Sequence, residues 1–425
     1  TDKDRALVSA GTAVSRTSLL CRLAVPIDCR QELVTRVTPL VRRMLDDAPG
    51  DAGETGVVDA GDGKRAQDRE ELLEGQGDVE QRQTACQKRT YRQQLAHVLR
   101  LLGGSPAFAR TLSSRGVRVL AMDGGGIRGL VLVEMLRKIE ADSGRRITDL
   151  FDVICGTSAG GLLAMALLLG RSLVEIEEQF WRISSIVFRK GWFTTAQQLT
   201  YTGSKYDARV LEELMLDQYG GGQLLDIPER PRCFMVSTLA SIVPAQPFVW
   251  RNYSYPPGHT SRYPGTCTAD VITALRATSA APSYFDDIVF ENGRHLDGGC
   301  IANNPAAIAL HEARCLFPGQ PLASLVSLAT GSPAPSAQAG GGVGWQGVLS
   351  TVIHSASSVT RVADCLADTL PADVYHRCSP EGAPFEVEID QTDKAKIEEL
   401  QGATHEYIRQ QHALFASLSA TLCPD

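Results

Sequence analysis

Two short apolar runs, each closed by a glycine-rich turn and followed at once by a helix-patterned segment, constrain this chain more than any other feature. VRVLAM at 117–122 is a short apolar run with β-branched residues, the pattern of a buried strand. The turn DGGGIRG at 123–129 follows it, then LVLVEMLRKIEAD at 130–142, whose apolar residues recur at helical spacing. FDVICGTS at 151–158 repeats the arrangement, with AGGLLAMALLLG at 159–170 as the next helix. Further strands are expected at 233–239, 246–251 and 324–330. Buried strands alternating with helices indicate an α/β fold with a mostly parallel central sheet.

The chain has 425 residues, of which 43% are hydrophobic. At roughly 150 residues per domain that length allows two or three domains, or one large domain with extensions. Residues 10–48 carry helical periodicity broken by Pro26, so 1–48 is expected to be a helical extension. Residues 49–82 are rich in Gly, Asp and Glu without an aromatic residue, the composition of a flexible acidic linker. A helical lead-in is expected at 83–115, with Gly103 as a C-cap. The main α/β domain is expected at 116–335. A largely helical extension follows at 336–425, in which 392–420 reads as an amphipathic helix or helix pair.

The formal net charge of −7 argues against a general nucleic-acid binder, so no nucleic-acid partner is expected. The 11 cysteines include no CxxC pair, which fits reduced thiols in a reducing compartment better than a disulfide framework or a zinc ribbon. TDKDRALVSA at the start has no apolar core of a signal peptide, and the chain lacks an initiator Met, as a fragment or processed form would. No apolar run reaches the about 18 residues of a spanning helix; LLAMALLL at 162–169 reads as a buried helix.

Three motifs carry the chemistry. DGGGIRG alone matches the dinucleotide fingerprint through Gly124, Gly126 and Gly129. Such a turn at a helix N-terminus points N–H groups at an anion, either a pyrophosphate or a developing oxyanion. GTSAG at 156–160 decides between these. A G-x-S-x-G between a buried strand and a helix has the setting of a nucleophile elbow, with Gly156 and Gly160 relieving the crowding around Ser158. A dinucleotide fold wants an acidic residue near the end of that second strand, which here ends in Cys155, Gly156 and Thr157.

A serine hydroxyl needs a base. None of the eight histidines stands in a motif-like setting, except that His295 lies two residues before Asp297, on the same face of a strand. His295 reads more simply as a packed strand residue. Asp297, followed by Gly298 and Gly299, can act as base directly if burial raises its pKa. Taken alone it also reads as a turn residue, since D-G is a common turn pair.

The trio DGGGIRG, GTSAG and DGG, in that order, resembles the patatin-like phospholipase family, and its calcium-independent phospholipase A2 branch, the gamma-like members in particular. ALRATSAAPSYF (274–285), NNP (303–305), SLATG (327–331) and the tail LADTLPADVYHRCSP (366–380) with FEVEID extend the likeness over 116–420. The resemblance implies a three-layer α/β/α fold and a Ser158–Asp297 dyad with no metal and no cofactor. It implies an oxyanion hole from the N–H groups of Gly125 and Gly126, and Arg128 as a nearby positive charge. Asp123, Gly124, Gly129, Gly156, Gly160, Gly298 and Gly299 support the motifs. Ala329 in SLATG departs from the more usual glycine.

The implied substrate is membrane phospholipid, cleaved by an intracellular enzyme in the cytoplasm or at an organelle membrane. Lysophospholipase, neutral-lipid lipase and transacylase are alternatives within the same chemistry, and a non-catalytic lipid-binding scaffold is an alternative outside it. FRKGWFTT (188–195) and the aromatic-rich, loop-like QPFVWRNYSYPPG (246–258) are the candidate segments for peripheral membrane contact. No calcium-loop pattern occurs, so calcium is not expected.

Overall fold

The computed structural model describes residues 115–188, 206–228, 230–256, 258–291, 293–333 and 359–423. Nearly all of the expectations for 1–115, and FRKGWFTT after Phe188, lie outside these residues.

Strands β1 (Val117–Met122), β2 (Val153–Thr157), β3 (Arg232–Leu239) and β8 (Leu322–Leu328) form the centre of one sheet in the order β3-β2-β1-β8, all parallel. Beyond β8 lies β9 (Tyr375–Cys378), also parallel. On the other side β3 pairs antiparallel with β4 (Gln246–Arg251), which carries the short β5 (Gly265–Thr266) at its edge. A hairpin of β6 (Ile288–Phe290) and β7 (Gly293–Asp297) joins through β7 and β3.

The burial pattern explains why the central runs lack alternation. Val117, Val119 and Ala121 of β1 pack into one apolar cluster, while Leu120 and Met122 pack into the other. Helices cover both faces, so both sets of side chains leave water. One face carries α1 (Gly129–Ser143), α3 (Ala159–Leu168), α4 (Leu173–Ile183), α5 (Ala208–Tyr219) and α6 (Val271–Thr278); the short α2 (Ile147–Leu150) precedes β2. The other face carries α8 (Ala306–Leu316) and Leu366 of α9 (Val359–Thr369), with the short α7 (Gly299–Ala302) preceding α8. This is a three-layer α/β/α sandwich. The stretch expected as a helix or pair at 392–420 is the pair α10 (Lys394–Gln410) and α11 (His412–Leu422), and its apolar residues, Leu400 and Leu418 among them, join the same core cluster as α1.

The strand expected at 246–251 is β4, and the loop-like reading of the aromatic-rich stretch 246–258 is corrected there: Trp250 and Tyr253 are fully buried. Each ring has a polar partner that fixes it inside. The Trp250 indole donates to Ser237 Oγ at 2.7 Å, and the Tyr253 hydroxyl donates to buried Glu312 at 2.7 Å. Among the described residues no helix is long and apolar enough to cross a membrane.

The register of β3 brings two distant segments together. β4 occupies one edge of β3 from Phe234 to Leu239. On the other edge β2 stops with Thr157 opposite Val236, and β7 takes over with Asp297 opposite Ser237. The residue after Thr157 and the last residue of β7 therefore meet at one point of the sheet, at the carboxyl end of β2.

Candidate active site

Ser158 follows β2 in a conformation, φ 52° and ψ −121°, that L-residues rarely adopt. Two near-contacts make the turn possible. A methyl group on Gly156 would lie 2.1 Å from the Gly160 backbone, and one on Gly160 would lie 2.4 Å from the Met122 carbonyl oxygen. Any side chain at either position would push α3 off the end of the sheet. The Ser158 N–H donates to Thr278 Oγ1 at 3.0 Å, and that hydroxyl donates to the Val236 carbonyl at 2.6 Å. The strained turn is thus tied to β3 through α6.

The Ser158 hydroxyl donates to Asp297 Oδ2 at 2.7 Å. The other carboxylate oxygen accepts the Gly299 N–H at 2.7 Å. The Asp297 backbone is held at both ends: its N–H donates to Ala280 O at 2.8 Å, and its carbonyl accepts from Thr238 Oγ1 at 2.8 Å. Burial raises the Asp297 pKa to about 6, against the lowering effect of the hydrogen bonds from Gly299 and Ser158. The carboxylate is therefore ionised at neutral pH, but weakly enough to accept a proton.

His295 is the packed strand residue of the simpler reading. Its Nδ1 lies 3.0 Å from Ser237 Oγ, and its ring meets Trp250 and Phe248 edge-on at 4.9 and 4.7 Å. Burial lowers its pKa to about 4, so it is neutral, and its hydrogen bond leads away from Ser158.

The glycine-rich turn stands beside the serine: a methyl group on Gly124 would lie 3.1 Å from Ser158 Cβ. Its Gly124 peptide is clamped from two sides. The carbonyl accepts from Thr330 Oγ1 at 2.7 Å and from the Asn303 amide at 3.3 Å, and the N–H donates to Asn303 O at 3.3 Å. Gly125 O accepts the Arg128 N–H at 3.1 Å and Arg128 Nε at 3.4 Å. The Arg128 guanidinium also reaches Gly331 O at 3.3 Å, and burial lowers its pKa. Gly126 adopts φ 58°, and a methyl group there would lie 2.3 Å from Ile389 O. The N–H groups of Gly125 and Gly126 donate to no other described residue. Gly129 opens α1 against Phe180, and Gly298 lies against the Val236 carbonyl.

Asp123 anchors the turn from below. Its carboxylate is buried and accepts both Arg377 Nη groups, at 3.0 and 2.6 Å. Arg377 reaches it from β9, also donating to Ser327 Oγ at 2.8 Å on the intervening strand β8. Removing one member strands the other charge in the interior, so Arg377→Ala is expected to destabilise the fold by about 3–5 kcal/mol. Urea unfolding followed by tryptophan fluorescence measures this; a loss under about 1 kcal/mol would mean that solvent reaches Asp123.

Beside Ser158 opens an apolar pocket of about 580 Å³, part of it open to solvent. Leu162, Phe180, Leu211, Tyr284 and Phe285 form much of its lining, with Gly126 and Ser158 at its polar end. Among the described residues no three His, Cys, Asp or Glu side chains cluster as a metal site.

The sequence motifs thus converge in space: Ser158, Asp297 and the turn 123–129 form one site. Thr278, Thr330, Asn303, Arg377 and Ile389 were not picked out from the sequence. The motif-adjacent stretches 274–285, 303–305 and 327–331, and the tail stretches 366–380 and FEVEID, were the available signal.

Fold and site together define an open α/β protein with a serine–aspartate pair at a nucleophile elbow. The family model described as patatin-like phospholipase matches residues 120–310, a span that includes all three motifs. The chain is 34% identical over 334 residues to the calcium-independent phospholipase A2-gamma of Rattus norvegicus, covering 76% of this chain and 42% of that one. It is 34% identical over 390 residues to phospholipase A I of Arabidopsis thaliana, covering 77% and 30%. With the cGAMP-activated phospholipase of Pseudomonas aeruginosa it shares 30% identity over 248 residues, covering 56% of this chain and 71% of that one. This chain belongs to the patatin-like phospholipase family. It spans less than half the length of the rat and Arabidopsis relatives.

Proposed function

We propose that this protein is a calcium-independent phospholipase A2-type serine acyl hydrolase that cleaves fatty acyl esters of glycerophospholipids through an acyl-enzyme. The observation that carries the reading is the 2.7 Å hydrogen bond from Ser158 to a buried Asp297 at the polar end of an apolar pocket. Asp297 takes the Ser158 proton as Oγ attacks the ester carbonyl, and returns it to the leaving lysophospholipid alkoxide. A water then enters; Asp297 accepts its proton, the hydroxide adds to the acyl-enzyme, and the fatty acid leaves as Ser158 is reprotonated. The N–H groups of Gly125 and Gly126 receive the oxyanion. Such donors stabilise the transition state by about 3–4 kcal/mol each, because they need no reorganisation as charge develops. Arg128 adds positive potential behind them. The acyl chain lies in the apolar pocket while the headgroup stays at the membrane surface, which makes peripheral membrane contact part of the reading.

A fluorophosphonate probe tests the nucleophile: labelling of the wild type and none of Ser158→Ala is expected. Product analysis by mass spectrometry, on a phosphatidylcholine with two different acyl chains, tests the substrate class. Free fatty acid and lysophosphatidylcholine support it. Turnover only of lysophospholipid or of triacylglycerol shifts the assignment to lysophospholipase or lipase, and an unlabelled Ser158 defeats the enzyme reading.

The pH profile follows from Asp297. Burial raises its pKa to about 6, so the active, ionised form is lost as pH falls through that value. The rate constant kcat/KM is expected to be level near neutrality and to fall about tenfold per pH unit below about 6. Stopped assays on a soluble ester, in buffers of constant ionic strength, check this. A level profile down to about pH 4.5 would remove Asp297 as the base.

A further inference from the structure

We infer that the tail segment 388–391 forms the selective wall of the pocket, with Ile389 as the residue that limits the shape of the acyl group near its ester carbonyl. The inference rests on the acyl-hydrolase reading above and adds a specificity-determining residue to it. Consecutive residues of this segment bind different parts of the site. Ile389 O accepts the Ile127 N–H at 3.0 Å, next to the glycine-rich turn. Asp390 Oδ2 accepts the Tyr206 hydroxyl at 2.7 Å, and Tyr206 stacks with Tyr284 of the pocket wall. Gln391 O accepts from Ser184 Oγ at 2.8 Å, just past α4. Three hydrogen bonds from three separate parts of the chain therefore fix one tight turn, which the Gln391 N–H closes on Glu388 O at 3.1 Å.

Ile389 lines the pocket at a particular place. A methyl group on Gly126 would lie 2.7 Å from Ile389 Cβ, so this side chain stands against the turn that faces Ser158. The acyl carbons nearest Ile389 are then those adjacent to the reacting carbonyl, because that carbonyl must sit between Ser158 and the turn. Leu162, Phe180 and Leu211 line the pocket from helices packed into the core. The branched Ile389 side chain stands where an α-branched acyl group would place its extra methyl. One methyl group accommodated or refused by such a wall changes kcat/KM by about tenfold or more.

The test compares p-nitrophenyl hexanoate with its α-methyl-branched analogue on the full chain and on three variants. In Ile389→Ala the ratio of kcat/KM for branched over straight substrate is expected to rise about tenfold. In Ile389→Phe it falls, and Ile389→Val lies between Ala and wild type. A melting curve for each variant separates selectivity from folding, and the conservative valine variant carries the test if alanine unfolds. The same ratio in all folded variants would overturn the role of Ile389 while leaving the hydrolase reading intact. A wild type that neither turns over these esters nor labels at Ser158 would instead defeat the hydrolase reading itself.

Discussion

Asp297→Asn is expected to lower kcat/KM by about four orders of magnitude while leaving the fold intact. The substitution keeps size and shape, and an amide oxygen can still accept the Gly299 N–H that Asp297 Oδ1 accepts at 2.7 Å. The backbone bonds to Ala280 and from Thr238 do not involve the side chain at all. What is lost is the ability to take a proton. Burial already disfavours the charged form, as the pKa of about 6 records, so a neutral isostere removes a desolvation cost and the melting temperature should hold or rise. The measurement is paired: kcat/KM on a soluble ester, and thermal unfolding by circular dichroism. Activity within about tenfold of wild type would sink the dyad. His295 would not then inherit the role without a rearrangement, since its ring is enclosed by Trp250, Phe248 and Ser237.

The catalytic candidates were legible because their chemistry and backbone geometry are written in adjacent residues. GTSAG places the small residues that the elbow needs on both sides of the serine, and DGGGIRG does the same for the turn. The parallel core strands were legible for a similar reason: a strand buried on both faces is apolar at nearly every position, as Val117–Met122 is apart from Arg118. The residues that fix the site are different in kind. Arg377 acts on Asp123 from two strands away, 254 positions along the chain, and VYHRC carries too short and too polar a pattern to announce a strand. Thr278 and Thr330 act through one hydroxyl each, and such a hydroxyl looks the same in sequence whether it caps a helix or braces a nucleophile. The aromatic stretch 246–258 carried two readings, a strand at 246–251 and an interfacial loop, and its first half is the strand. Aromatic density reads as an interfacial signal, but two of its rings have buried polar partners, Ser237 and Glu312, that lie elsewhere in the chain. Register explains the remaining gap. That Asp297 meets Ser158 depends on β2 ending opposite Val236 and β7 ending opposite Ser237, a relation among three strands that no local pattern encodes.

Ser158→Ala and Ser158→Gly are both expected to lower turnover by about five to six orders of magnitude, and to differ from each other in stability in an unusual direction. Both remove the hydroxyl, so both lose the nucleophile and the hydrogen bond to Asp297. They differ in one respect, the backbone at position 158, where φ is 52° and ψ −121°. Alanine has to hold that conformation against the clash of its Cβ, at a cost of about 1–3 kcal/mol, whereas glycine adopts it freely. At the start of an ordinary helix interior alanine would be the more stable of the two by about 1 kcal/mol. Here glycine should be the more stable by about that much or more, once its greater freedom in the unfolded chain is set against the strain. The comparison needs only urea unfolding curves of the two variants side by side, since the lost hydroxyl cancels between them. Alanine more stable than glycine would mean that the elbow is not strained. Both variants are inactive and only alanine is strained, so the two readouts together separate the function of the serine from the geometry that presents it. The strain is then borne by the packing of Gly156 against Gly160 and of Gly160 against Met122, which holds the turn in place whether or not a nucleophile sits on it.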